Sequence, residues 1–215
     1  MENRLEKKFV YQNGDESYRY FLISGMFKEN YPKRIVNSIY FDNDVYQDAW
    51  DNINGFGKRK KIRIRWYNDS NNFSASVELK KKIGFVTQKH KENLGFFKNF
   101  NDLDLFINEE KYLNSNLLMK KKMNLKKILF IQYHRNYFEL PNKKLRVTID
   151  RDLKIFQNFP NNFINIDKCI VELKYSVENS LFVNAFIKEN KLSNRNQKFS
   201  KYVNSFLEIN ENARI

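Results

Sequence analysis

The sequence has almost none of the residues on which several common functions depend. Cysteine occurs once in 215 residues, at Cys169, which excludes an intramolecular disulfide and any cysteine-rich zinc site. Three prolines and six glycines leave little room for a proline linker, a collagen-like repeat or a glycine-rich phosphate loop. The two histidines, His90 and His134, are not arranged as a catalytic dyad, and both read as structural. No run approaches the ~18 apolar residues of a membrane-spanning helix, and the opening MENRLEKKFV lacks the apolar stretch of a signal peptide. These absences predict a cytoplasmic protein of a reducing compartment with no transmembrane segment of its own.

What the sequence does have is positive charge and aromatic bulk. Lys and Arg number 39 against 25 Asp and Glu, so 39 − 25 gives +14 at pH 7. Hydrophobic residues make up 41% and aromatics 16%, enough to fill a core and exclude a disordered basic tail. The charge predicts an anionic partner. By itself it does not choose among nucleic acid, an acidic membrane surface, nucleotides and condensed phosphates. No repeat and no linker-like shift in composition is visible, so residues 1–215 read as a single domain.

Strict alternation dominates the pattern and predicts strands. Lys61, Arg63, Arg65 and Tyr67 share one face of KKIRIRWY, with Ile62, Ile64 and Trp66 on the other. Ser76, Glu78, Lys80 and Lys82 share a face of SVELKKK; Lys144, Arg146, Thr148 and Asp150 share one of KLRVTID. Ile170, Glu172, Lys174 and Ser176 oppose Cys169, Val171, Leu173 and Tyr175, while Arg4, Glu6 and Lys8 oppose Leu5, Lys7 and Phe9. IQYHRNYFEL and VNSIYFD complete the strands, and Asn68–Asn72 reads as a hairpin loop. Helices are predicted over Asp15–Lys28, Leu103–Met123, Ser176–Lys191 and Ser200–Ile209. The class is α+β with many antiparallel strands.

A charged strand face is usually just a solvated one. Here several strands each present Arg or Lys with Glu6, Glu78 and Glu172 among them. Closed into a barrel with the apolar faces outward under helices, they would form a basic lumen. Two like charges ~6 Å apart at an effective dielectric of ~20 repel by about 3 kcal/mol, so such a lining needs a polyanion or interleaved carboxylates. Arg suits phosphate because its planar fork binds two oxygens, and isolated carboxylates suit Mg²⁺ or Mn²⁺ bridging phosphate oxygens. Each carboxylate also has a plainer reading. Glu78 can pair with a neighbouring lysine, Glu6 can balance Lys8, and Lys174 can be solvated or paired. Cys169 reads as buried, Tyr40, Tyr133 and Tyr137 as packing residues, and Lys120–Lys122 with Lys126 and Lys127 as exposed basic surface.

RLEKKFV, NSIYFD, KIRIRWY, VELKKK with VTQKHK, YHRNYF, LRVTID, IVELKY and KFSKYV occur in an order that resembles VTC-type polyphosphate polymerase domains, within the triphosphate tunnel metalloenzyme (CYTH-like) superfamily. The resemblance implies an antiparallel tunnel of about eight strands flanked by helices. It implies a polyphosphate polymerase that moves the terminal phosphoryl of ATP onto polyphosphate, releases ADP and uses Mn²⁺ or Mg²⁺. By motif, Lys8, Arg63, Arg65, Lys80, Arg135 and Arg146 would bind phosphate, and Glu172 would hold the metal. Lys198 and Lys201 would close the site, with Glu6, Glu78 and Lys174 as secondary candidates. The superfamily signature Glu-x-Glu-x-Lys reads here Arg4-x-Glu6-x-Lys8, which weakens a second metal site and a hydrolytic role. The chain resembles the bare catalytic domain, so membrane proteins from other chains would be partners in any translocation, and no specific nucleic acid is implied. The alternatives are an inorganic triphosphatase or other triphosphate-processing tunnel enzyme, and a non-enzymatic polyanion- or RNA-binding module.

Overall fold

The computed structural model describes residues 4–12, 25–68, 71–84, 86–115, 124–159, 161–190, 192 and 199–212. Among these residues the elements run β1 (Arg4–Gln12), β2 (Lys28–Asp42), α1 (Gln47–Ile53), β3 (Lys58–Tyr67), β4 (Asn71–Ile83), β5 (Val86–Asn99) and α2 (Phe100–Asn108). They continue with β6 (Lys126–Glu139), β7 (Arg146–Asn158), β8 (Asn161–Ile166), β9 (Lys168–Ser176), α3 (Ser180–Glu189) and α4 (Lys201–Asn212), with short 3₁₀ turns before α3 and at Lys111–Asn114. The chain is α+β, with nine strands among the described residues.

The chain divides into two compact units, and β2, β6 and β7 contribute residues to both. In the first unit the strand order is β1-β9-β7-β6. Glu6 faces Lys174 and Lys8 faces Glu172 across β1 and β9, while Arg146 and Thr148 on β7 face Lys174 and Glu172. Directly opposed residues share a face, so the alternation in the sequence becomes one charged face and one apolar face. Phe9, Val147, Ile149, Cys169, Val171 and Leu173 form the apolar one, covered by Val183, Phe186 and Ile187 of α3.

In the second unit the order is β6-β2-β3-β4-β5, with β8 beside β7. Ile39, Phe41, Ile62, Ile64, Trp66, Val77 and Leu79 form its apolar face, packed with Leu103 and Ile107 of α2. Trp66 and Phe73 stack in this core, their ring centres 5.1 Å apart. Asn99 begins α2 by accepting the Asp102 amide at 3.0 Å on its side-chain oxygen. A bulge between Ala75 and Ser76 bends the β4–β5 pair, and Gly95 opposite it takes φ +117°, which only glycine adopts readily.

The antiparallel strands and the helices behind their apolar faces agree with the sequence reading, and several features differ from it. The ladder ends at β1 and β5, so among the described residues the sheet is not closed, which corrects the expected closed barrel. β5 carries exposed charged residues from Gln88 to Lys91, a pattern that keeps an edge from pairing. Of the helix read over Leu103–Met123, residues 103–108 belong to α2 and Lys111–Asn114 form a 3₁₀ turn, because Glu110 takes φ 55° and breaks the helical run; residues 116–123 lie outside the described residues. β2 begins at Lys28, well before VNSIYFD, in an exposed stretch that tolerates Pro32. The sequence reading contained no β5, α1 or β8. Of the helix predicted over Asp15–Lys28, residues 15–24 lie outside the described residues, and its described end is not helical: Gly25 takes φ 64° and Lys28 begins β2. Among the described residues no helix is long and apolar enough to cross a membrane.

Candidate functional site

In the second unit, β3 aims Arg63 and Arg65 away from the core because Ile62, Ile64 and Trp66 are held in it. Register places Glu78 of β4 and Tyr40 of β2 directly beside Arg63. Arg63 donates from Nε and Nη2 to Glu78 Oε2 at 2.8 and 2.5 Å, and from Nη1 to the Tyr40 hydroxyl at 3.0 Å. Lys89 Nζ donates to the other Glu78 oxygen at 2.7 Å, and Arg65 Nη1 stands 3.9 Å away. Arg65 also donates to Ser38 Oγ at 3.0 Å.

One buried carboxylate thus organises three cations. Burial pushes the Glu78 carboxyl up, but Arg63, Arg65 and Lys89 outweigh it and bring it down to about 2. Glu78 therefore remains ionised and is a counter-charge. Tyr40 sits below its ordinary value for the same reason: burial raises it, and Arg63, Arg65 and Lys201 lower it further. The Tyr40 ring stacks on Tyr202 of α4 at 5.1 Å and 10°. Lys61 Nζ donates to Ser200 Oγ at 2.7 Å. Lys80, paired in register with Lys61, is exposed.

In the first unit the charged face is built around two carboxylates. Arg135 clamps Asp150 with two donors, at 2.5 and 2.7 Å, and Asp150 is fully buried. Burial works against the Arg135 charge, but Asp150, Tyr133 and Glu172 raise its pKa well above the usual value, so it stays protonated. The rings of Tyr133 and Tyr137 lie 5.3 and 5.9 Å from the guanidinium carbon. Glu172 is held less tightly, with Lys174 at 3.5 Å, Arg135 at 3.9 Å and Lys8 at 4.0 Å from its oxygens. Lys8 Nζ also donates to the Phe199 carbonyl at 3.1 Å. Arg146 is half-exposed and donates to Glu139 at 2.6 Å.

The residues around Glu172 suit a divalent cation that takes most of its ligands from phosphate and water. Thr148, opposite Glu172 in register, has a buried hydroxyl oxygen with no hydrogen-bond partner among the described residues. A carboxylate and a neighbouring hydroxyl are hard oxygen donors of the kind Mg²⁺ and Mn²⁺ accept. No group of three or more His, Cys, Asp or Glu that could hold a metal occurs among the described residues.

Of the residues expected from sequence, Arg63, Arg65, Glu78 and Lys80 share the charged face of the second unit. Lys201 acts on that face electrostatically through Tyr40. Lys8, Arg135, Arg146, Glu172, Lys174 and Glu6 belong to the charged face of the first unit. Lys198 lies outside the described residues. Two contributors were not singled out from sequence. Lys89 lies in VTQKHK, whose exposed strand has no apolar alternation, although Val86 and Thr87 carry the β-branched signal that could have marked it. Asp150 was visible only as a face residue, because its role depends on Arg135, fifteen positions earlier in the chain.

The fold was compared with known proteins. The structure is similar to HpAC1 from Hippeastrum, a proposed adenylyl cyclase reported to have a dominant triphosphatase activity, at TM-score 0.55 and 13% identity, covering 96% of each chain. It is similar to a proposed adenylate cyclase from Bacillus halodurans at TM-score 0.55 and 14% identity, covering 92% of this chain and 96% of that one. A Pyrococcus horikoshii protein aligns over 95% of this chain and 99% of its own, at TM-score 0.54 and 12% identity. At these identities the likeness is one of fold. No curated protein sequence matches the chain. The model of the VTC domain matches residues 4–209, nearly the whole length, and the chain belongs to the VTC domain family.

Proposed function

We propose that this protein is a polyphosphate polymerase, transferring the terminal phosphoryl of ATP to the end of a polyphosphate chain and releasing ADP. The observation that carries the reading is the charged face of the second unit. There Arg63, Arg65 and Lys89 are gathered on one ionised carboxylate, fixed in place before any ligand arrives. Phosphoryl transfer depends mainly on positioning and on charge already in place where it develops, and this face supplies both. We assign phosphate contacts to Arg63, Arg65, Lys80 and Lys201 in the second unit and to Lys8, Arg135 and Arg146 in the first, with Lys198 a further candidate from the sequence. The acceptor is a phosphate oxygen, already ionised at neutral pH, so the reaction needs no general base. Glu78 agrees with that, because a carboxyl held at about 2 and engaged by three cations is a poor proton acceptor. Glu172 with Thr148 would hold Mn²⁺ or Mg²⁺, which when bound neutralises phosphate charge. Glu6 and Lys174 set the charge around Glu172.

A second reading, hydrolysis of a triphosphate, is favoured by the likeness to HpAC1, with its reported triphosphatase activity. The substitution of Arg4 for the first carboxylate of the strand signature favours transfer. Incubation with ATP and Mn²⁺, with products resolved by gel and by ³¹P NMR, separates the two. Long polyphosphate together with ADP supports the polymerase. Orthophosphate alone replaces it with the triphosphatase, and salt-sensitive polyanion binding without turnover replaces both with a binding module.

A further inference from the structure

The second unit contains a cavity of about 590 Å³ that shares no residue with the phosphate-binding set proposed above. One wall carries Lys58, Arg59 and Lys60 of β3 with Lys81 and Lys82 of β4, and the other carries Asp42, Asp48 and Asp51. The three carboxylates differ in what they already hold. Asp42 accepts the backbone amides of Asn43, Asp48 and Ala49 at 2.9–3.0 Å and the Tyr202 hydroxyl at 2.6 Å, so it is committed to fixing α1. Asp51 accepts from Gln47 at 2.5 Å. Asp48 differs: its side chain is 3% exposed, Lys60 Nζ is 3.9 Å from Oδ1, and Oδ2 is buried with no hydrogen-bond partner among the described residues.

A buried oxygen without a donor costs roughly 1–3 kcal/mol, and a wall of five cations attracts an anion. The two features call for different parts of one molecule. We propose that this cavity is a second small-molecule site, one that takes a phosphate ester bearing free hydroxyl groups, with the phosphate on the lysine and arginine wall and a hydroxyl donating to Asp48. Sugar phosphates and nucleotides both present that chemistry, and the volume lies within the roughly 300–1,000 Å³ usual for such ligands. Burial, reinforced by Asp42 and Asp51 and opposed by Lys60 and Lys61, pushes the Asp48 carboxyl up to about 7. That is the condition of a group built into the protein interior without its donor.

The test is calorimetric titration of the full chain with ribose 5-phosphate, AMP, ribose and inorganic phosphate. Wild type is compared with Arg65→Ala, Lys81→Gln and Asp48→Asn. Ribose 5-phosphate or AMP should bind about tenfold more tightly than inorganic phosphate, and whichever binds better identifies the source of the ester. Arg65→Ala should leave that affinity within about twofold, and Lys81→Gln should weaken it by about fivefold or more. Asp48→Asn should remove the preference over inorganic phosphate. Lys81, only partly buried, keeps the test decisive should the Asp48 variant fail to fold. Equal binding of phosphate and its esters, no binding at all, or loss in Arg65→Ala with none in Lys81→Gln would overturn the proposal. Polymerase assay of the same preparations reads the other site, so either conclusion can fail alone.

Discussion

The two units solve the same electrostatic problem in different ways. In the second, one carboxylate, Glu78, binds Arg63 and Lys89 at hydrogen-bond distance with Arg65 near by, and the cations outnumber it. In the first, Arg135 is matched to a fully buried partner of its own, Asp150, while Glu172 is surrounded by cations 3.5–4.0 Å away. One face is therefore preset for an anion. The other combines a structural ion pair with a carboxylate around which three cations stand. The difference teaches that the same residue pair, Arg and a carboxylate on adjacent strands, gathers further cations at Glu78 and clamps a fully buried carboxylate at Asp150.

Removing the clamp should have the largest effect on folding. Arg135→Ala takes the two-donor partner away from a fully buried carboxylate, and should cost about 3–5 kcal/mol in urea denaturation. The same truncation at half-exposed Arg146 should cost less than about 1 kcal/mol, and equal costs would erase the contrast. On activity the order reverses. Arg63→Ala should lower kcat/KM for ATP by about 10²-fold with the fold retained, measured by ADP release against circular dichroism. Glu172→Gln, which keeps the shape and removes the charge, should weaken the dependence on Mn²⁺ concentration with the fold retained; a lost fold instead would make it a second clamp.

Acid titration sharpens the comparison. The Glu78 carboxyl is at about 2 when folded, below its ordinary 4.5, so its stabilisation is complete above about 4.5 and is lost as pH falls towards 2. Glu78→Gln should flatten that part of the stability curve. Asp48 has the opposite sign. At about 7 when folded against an ordinary 3.8, it holds its proton longer than the unfolded chain does, so stability falls as pH rises from about 4 to 7. Asp48→Asn should remove that decline, read by thermal melts at several pH values.

The alternation that separates Arg63 and Arg65 from Ile62, Ile64 and Trp66 was legible because a strand has a period of two and the apolar side must be buried. The same logic exposed Glu172, Lys174 and Arg146 on their faces. β5 was not legible, since an exposed strand has no buried side to impose a period. Nor could the α1 segment be read, because the residue that begins it, Asp42, acts from the end of the preceding strand.

Composition and spacing alone thus determined the positive charge on which the expectation of an anionic partner rests, the antiparallel character of the chain, and which side chains leave the core. They could not say what each carboxylate does, because Glu78, Asp150, Glu172 and Asp48 are chemically alike when written in a row. Tertiary structure separated them by desolvation and by the number of cations within reach. Ion-pair energies depend on distance and burial, and both are set by strand register and packing between residues far apart in sequence.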